Sequence, residues 1–72
     1  MTNTLTFTDS SLIKKAHYDP KEKELTIEFV VGKTYLYYSV ELEEWEEMKK
    51  AESAGKHFTK NIKGKYNYKQ LI

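Results

Sequence analysis

Apolar and polar positions change period along the chain, and each change marks a predicted element. In "ELTIEF", Leu25, Ile27 and Phe29 alternate with polar residues, the period of a strand that buries one face. The preceding "SLIKKAHY", Ser11 to Tyr18, reads as a first strand with Ile13 and Tyr18 as apolar anchors. Asp19-Pro20 and the charges after it supply turn chemistry. A third strand, "TYLYY", follows Gly32. A two-residue loop at Val31-Gly32 would set Leu36 opposite Ile27 and turn Tyr35 and Tyr37 outward. A three-residue loop, Val30-Val31-Gly32, places glycine at the left-handed bulge position and sets Tyr35 against Ile27 and Tyr37 against Leu25. Val31 suits the positive φ of a tight primed turn poorly, which favours the longer loop and makes both tyrosines core.

From Glu41 the period lengthens. Leu42, Trp45, Met48 and Ala51 form one stripe, predicting a helix over Glu41 to Ala54. Five glutamates occupy its first two turns, where the helix dipole favours negative charge. Ser39 is the candidate cap and Gly55 the left-handed stop. Phe58, Ile62 and Tyr66, spaced by four, predict a short second helix interrupted near Gly64. The expected class is α+β: a three-stranded antiparallel meander packed by one main helix and a short carboxy-terminal helix. Residues 1–9, "MTNTLTFTD", are a tail or an edge strand, and residues 10–72 are the domain. Leu36 and Tyr38 fall on the sheet face that one helix cannot cover, so they are candidates for a homo-oligomer contact.

Composition narrows the function classes. A chain of 72 residues has a thin core, and without cysteine neither disulfides nor thiolate ligands reinforce it. No apolar run approaches the ~20 residues of a membrane span, and the amino-terminal segment lacks signal-peptide character. The expectation is a cytoplasmic protein. The net charge of +1 conceals an asymmetry: Glu41 to Glu52 holds six glutamates and two lysines, whereas Ser53 to Ile72 holds five lysines and no acid. Every cationic side chain apart from the histidines is lysine, which favours general attraction to phosphate over planar bidentate reading.

The run of Ser11, Ile13, Tyr18-Asp19, "LTIEF", Gly32, "YLY", Val40, "AESAGKHF" and "IKGKY" resembles the KTSC domain. The resemblance spans roughly Ser10 to Tyr68. Its Y-x-Y motif matches Tyr35 and Tyr37, and its second motif matches Ala51, Ser53, Gly55 and Phe58. His57 stands where a tyrosine is usual, Glu41 where a proline is, Leu12 where a polar residue is, and Trp45 where a tyrosine is. The resemblance implies a small domain found at the carboxy terminus of some lysyl-tRNA synthetases and as a stand-alone bacterial or phage protein. It also implies an RNA-binding role, by association with those synthetases.

The residues give little support for catalysis. No cysteine nucleophile exists, His17 and His57 are forty residues apart, and Ser10, Ser11 and Ser53 have no recognisable base, so no catalytic residue is assigned. Neither histidine has metal-ligand spacing and no glycine-rich phosphate loop is present, so no metal or cofactor is assigned. The carboxy-terminal segment is the binding candidate: Ser53, Lys56, His57, Lys60, Asn61, Lys63, Lys65, Tyr66 and Tyr68 interleave lysines with aromatic rings. Lysines attract phosphate and rings stack bases. The expected function is a non-catalytic module for a phosphate-bearing ligand, RNA first. The alternative is a homo-oligomeric phage or bacterial protein that sequesters a small nucleotide or binds a partner protein.

Overall fold

The computed structural model describes residues 3–6 and 11–72. Phe7 and Ser10 lie outside them. Strands β1 (Asn3–Thr6), β2 (Ile13–Asp19), β3 (Glu24–Phe29) and β4 (Thr34–Tyr37) form an antiparallel meander. Helices α1 (Leu42–Lys50) and α2 (Ala54–Asn61) follow, and β5 (Tyr68–Gln70) returns to pair with β4.

The β3–β4 hairpin has the expected three-residue loop. Tyr35 lies opposite Ile27 and Tyr37 opposite Leu25. The Gly32 amide donates to the Phe29 carbonyl at 3.0 Å and the Phe29 amide to that of Lys33 at 2.8 Å. Gly32 has φ +94°, a conformation that L side chains rarely adopt. Asp19 orders the β2–β3 turn, where its Oδ1 accepts from the Lys21 and Glu22 amides.

One sheet face carries Ile13, Ala16, Tyr18, Leu25, Ile27, Phe29 and Tyr37, and the two helices close over it with Trp45, Met48, Phe58 and Ile62. Trp45 stacks on Tyr18 at 5.6 Å, and the Tyr18 hydroxyl donates to the Val40 carbonyl at 2.6 Å. The Trp45 indole N–H is buried with no acceptor among the described residues.

Three expectations are corrected. The sheet has five strands, not three: β1 adds one edge and β5 the other. β5 is invisible to a period-two reading because it is only "YKQ", with every residue exposed, and it forms by long-range pairing with β4. The two expected helices are present, but the first stops at Lys50 instead of Ala54 and the second already begins at Ala54. Ala51 turns extended at ψ 142°, and Ser53 caps α2 by accepting from the Lys56 amide. A good capping residue two positions before a glycine therefore starts a helix here, and Gly55 is buried inside α2 instead of ending α1. Ser39 does not cap α1. It takes φ +57° and turns the chain so that Val40 enters the core, while the cap position falls to Glu41 without a side-chain bond. Within the stripe, Trp45 and Met48 are buried but Leu42 is 48% exposed.

Candidate functional site

The fold distributes the nine expected ligand residues over separate places. Ser53, Lys56 and Lys60 line a groove beside the α2 amino terminus, with Ser11, Leu12, Gly55 and Thr59. Lys63 and Tyr68 reach a second, aromatic cleft. His57, Asn61 and Tyr66 face α1, away from either. Lys65 is exposed in the turn after α2.

The aromatic cleft is about 480 Å³, and its walls come from both layers. Phe29, Tyr35, Tyr37 and Tyr68 come from the sheet, Phe58, Thr59 and Lys63 from α2 and its closing turn, and Val31 and Lys33 from the hairpin. The rings are graded in exposure. Tyr37 is 3% exposed and held edge-on by Phe58 at 5.5 Å, while Phe29 meets both Phe58 and Tyr35 edge-on. Tyr68, 58% exposed, lies over Tyr35 at 5.2 Å and Tyr37 at 5.5 Å. Burial pushes the Tyr37 phenol up to about 12, with Tyr35 and Tyr68 adding to the effect. A neutral, fixed aromatic base is thus capped by one ring open to solvent.

The electrostatics of the cleft are one-signed. Lys33 and Lys63 stand on its walls, and none of the described lining residues is acidic. Neither lysine has an ion-pair partner among the described residues, in contrast to Lys23 and Lys49, which pair with Glu41 and Glu46. Sequence reasoning named Lys63 and Tyr68 but missed Lys33 and placed Tyr35 in the core. The adjoining "GK" and "YLY" carried the signal, since a lysine and a tyrosine two apart share a strand face.

His57 has another role. Its Nε2 lies 2.8 Å from Glu44 Oε1 and its Nδ1 lies 3.2 Å from Asn61 Nδ2. The tautomer that satisfies both donates from Nε2 to the carboxylate and accepts at Nδ1 from the amide. Tyr66 donates to the other Glu44 oxygen at 3.5 Å, and burial followed by the Glu44 charge raises its phenol pKa. These contacts join α1 to α2. Ligand atoms of Glu44, Glu47 and His57 lie within 4.8 Å of one another, a proximity that the forty-residue separation of the histidines does not reveal.

Leu36 sits on the opposite sheet face, paired with Thr26 and Lys69. The same face carries Thr4, His17, Lys15 and Glu28. The apolar patch expected around Leu36 and Tyr38 is therefore small, and both residues are half-buried.

Comparison with known proteins fixes the family. The KTSC domain model matches residues 9–66. The chain belongs to the KTSC domain family. It is 43% identical over 63 residues to a lysine–tRNA ligase of Nostoc punctiforme, a match covering 88% of this chain and 11% of the ligase. The chain thus spans about a tenth of the curated ligase it matches. A protein of Tsukamurella paurometabola is 40% identical over 58 residues, 81% of this chain and 87% of that one. The crystal structure of a KTSC domain protein from Yersinia pestis superposes with a TM-score of 0.88 at 30% identity, covering 100% of both chains. The KTSC model ends at residue 66, so Tyr68 of the cleft lies just beyond it, within the structural match.

Proposed function

We propose that this KTSC domain is a non-catalytic binding module for unpaired RNA, and that the aromatic cleft is where it holds a base. The observation that carries the reading is the placement of Tyr68 against Tyr35 and Tyr37 in a cleft that Lys33 and Lys63 also line. A base has two π-faces and a phosphate on each side. A ring fixed from below and open above offers a stacking partner, worth ~1–3 kcal/mol per base. Lysines on the walls offer charge to the flanking phosphates without sequence preference. A duplex keeps its bases stacked and paired, so the cleft suits a single strand. The lysine–tRNA ligase relative acts on an RNA by its printed name, which supports RNA over other phosphate-bearing ligands.

The test is a salt titration of a fluorescent single-stranded RNA against wild type and the Lys33→Gln/Lys63→Gln variant. Wild type is expected to bind at low salt, and the variant to bind more weakly with a salt slope reduced by about 0.7 for each lost phosphate contact. Equal binding by both proteins, or none by wild type at low salt, overturns the reading.

A further inference from the structure

The cleft and the groove beside the α2 amino terminus adjoin one another. Leu12 and Thr59 form walls of both. The second groove, of about 440 Å³, is lined beyond that junction by Ser11, Ser53, Gly55, Lys56 and Lys60. We infer that the two form one track for a single strand of RNA, with a base in the aromatic cleft and the following nucleotides, stacked on one another, laid along α2. The inference rests on the cleft reading above and adds the length and sugar identity of its ligand.

Spacing on the helix supplies the first argument. Lys56 and Lys60 are one turn apart on one face, and Lys63 continues the row three residues on. Phe58 and Ile62 take the opposite side into the core, so the lysine row faces out by necessity. From Lys56 to Lys63 the row covers about 10 Å at 1.5 Å per residue. That length spans roughly three stacked nucleotides at 3.4 Å each. With the base held in the cleft, the track takes about four nucleotides.

Charge is the second argument. Lys33, Lys63, Lys60 and Lys56 follow one another along the track, and no acidic residue lines either part among the described residues. None of the four has an ion-pair partner among the described residues. Two acids of the neighbouring helix are engaged elsewhere, Glu44 with His57 and Glu46 with Lys49. A continuous row of free cations complements a polyanion better than a single nucleotide.

The hydroxyls in the groove supply the third. Ser53 Oγ accepts from the Lys56 amide at 3.3 Å, which leaves its own proton to donate. Thr59 Oγ1 donates to the Gly55 carbonyl at 2.9 Å, which leaves its oxygen to accept. One donor and one acceptor, about 9 Å apart along the helix, can each meet the 2′-hydroxyl of a different nucleotide, a group that both donates and accepts. Deoxyribose offers neither.

A ladder of oligouridylates from the monophosphate through the dimer and tetramer to the octamer tests this against wild type, Lys33→Gln/Lys63→Gln and Lys56→Gln/Lys60→Gln. Affinity is expected to climb to the tetramer and then level. The Lys56/Lys60 variant is expected to lose roughly tenfold on the tetramer at low salt, from two phosphate contacts, and to match wild type on the monophosphate. The Lys33/Lys63 variant is expected to weaken at every length. The deoxy tetramer is expected to bind more weakly than the ribo tetramer. A monophosphate that binds as tightly as the octamer, or a Lys56/Lys60 variant equal to wild type on the tetramer, refutes the track while leaving the cleft as a nucleotide pocket. Equal affinity for the deoxy tetramer refutes the assignment to RNA. Failure of every oligomer to bind wild type removes the cleft reading together with the track.

Discussion

The two ends of one sheet face use aromatic rings in opposite ways. Beneath α1, Tyr18 and Trp45 stack at 5.6 Å, both fully buried, and the Tyr18 hydroxyl is consumed by the Val40 carbonyl. Toward the β4–β5 edge, Tyr35, Tyr37 and Tyr68 pack as closely, yet the last stays mostly in water in a cleft that two lysines line. Helix coverage makes the difference. Trp45 on α1 seals the first end, whereas α2 brings Phe58 and Thr59 to the second and is followed by a turn at Gly64 whose Lys63 lines the cleft. Equal ring chemistry therefore gives a closed core where a helix covers it and a ring left open to solvent where coverage is thinner.

The sharpest way to break this comparison is truncation of a buried ring at each end, Trp45 at the closed end and Tyr37 at the base of the cleft. Trp45→Ala and Tyr37→Ala should each cost about 3–5 kcal/mol, the range for a buried large aromatic. In so small a chain that approaches the whole stability, so urea melts should show little or no folded baseline. A mild effect of Tyr37→Ala would mean that the cleft extends deeper than its wall.

Alkaline titration sharpens the same contrast. The folded chain holds the Tyr37 proton up to about 12, whereas the unfolded chain releases it near 10. The folded state thus binds more protons in that window, and stability should be intact below pH 10 and fall from there toward 12. Tyr18 and Tyr66, also raised by burial, act in the same direction. Melting temperature against pH checks this. A flat profile through that range would contradict the burial of these phenols.

The hairpin that delivers Tyr35 and Lys33 to the cleft depends on Gly32. Gly32→Ala meets no steric neighbour, since nothing lies within 4 Å of the added carbon, but φ +94° strains it by roughly 1–2 kcal/mol. A smaller effect is expected at the α1–α2 junction. His57→Ala removes a part-buried hydrogen bond to Glu44 and should cost about 1 kcal/mol while leaving RNA affinity unchanged, because the ring faces α1. Loss of RNA binding in that variant would restore His57 to the ligand site.

Much of the closed end was legible in the sequence. Period-two patterning located β2 and β3, and the poor fit of Val31 to positive φ selected the loop that fixed the β3–β4 register. The apolar stripe found Trp45 and Met48. The open end was less legible because it depends on contacts distant in sequence. β5 has no apolar alternation of its own, and Tyr68 meets Tyr35 only through the β4–β5 ladder. The break between α1 and α2 was expected at Gly55 and falls a few residues earlier, because Ser53 caps α2 through its bond to the Lys56 amide. The lysine asymmetry pointed to the carboxy-terminal half, which supplies Lys63 and Tyr68 to the cleft, but could not separate Lys63 in the cleft from Lys65 in the turn beyond it.

The measurement that most directly tests the division between closed and open ends is Tyr68→Ala, examined for both melting temperature and affinity for single-stranded RNA. The exposed ring contributes little to the core, so the melting temperature should stay close to wild type, within ~0.5 kcal/mol of stability. Affinity should fall by the worth of a stacked base, about 1–3 kcal/mol or roughly five- to 150-fold. A variant that melts early while binding RNA as tightly as wild type would show Tyr68 to be a core residue and would contradict the account.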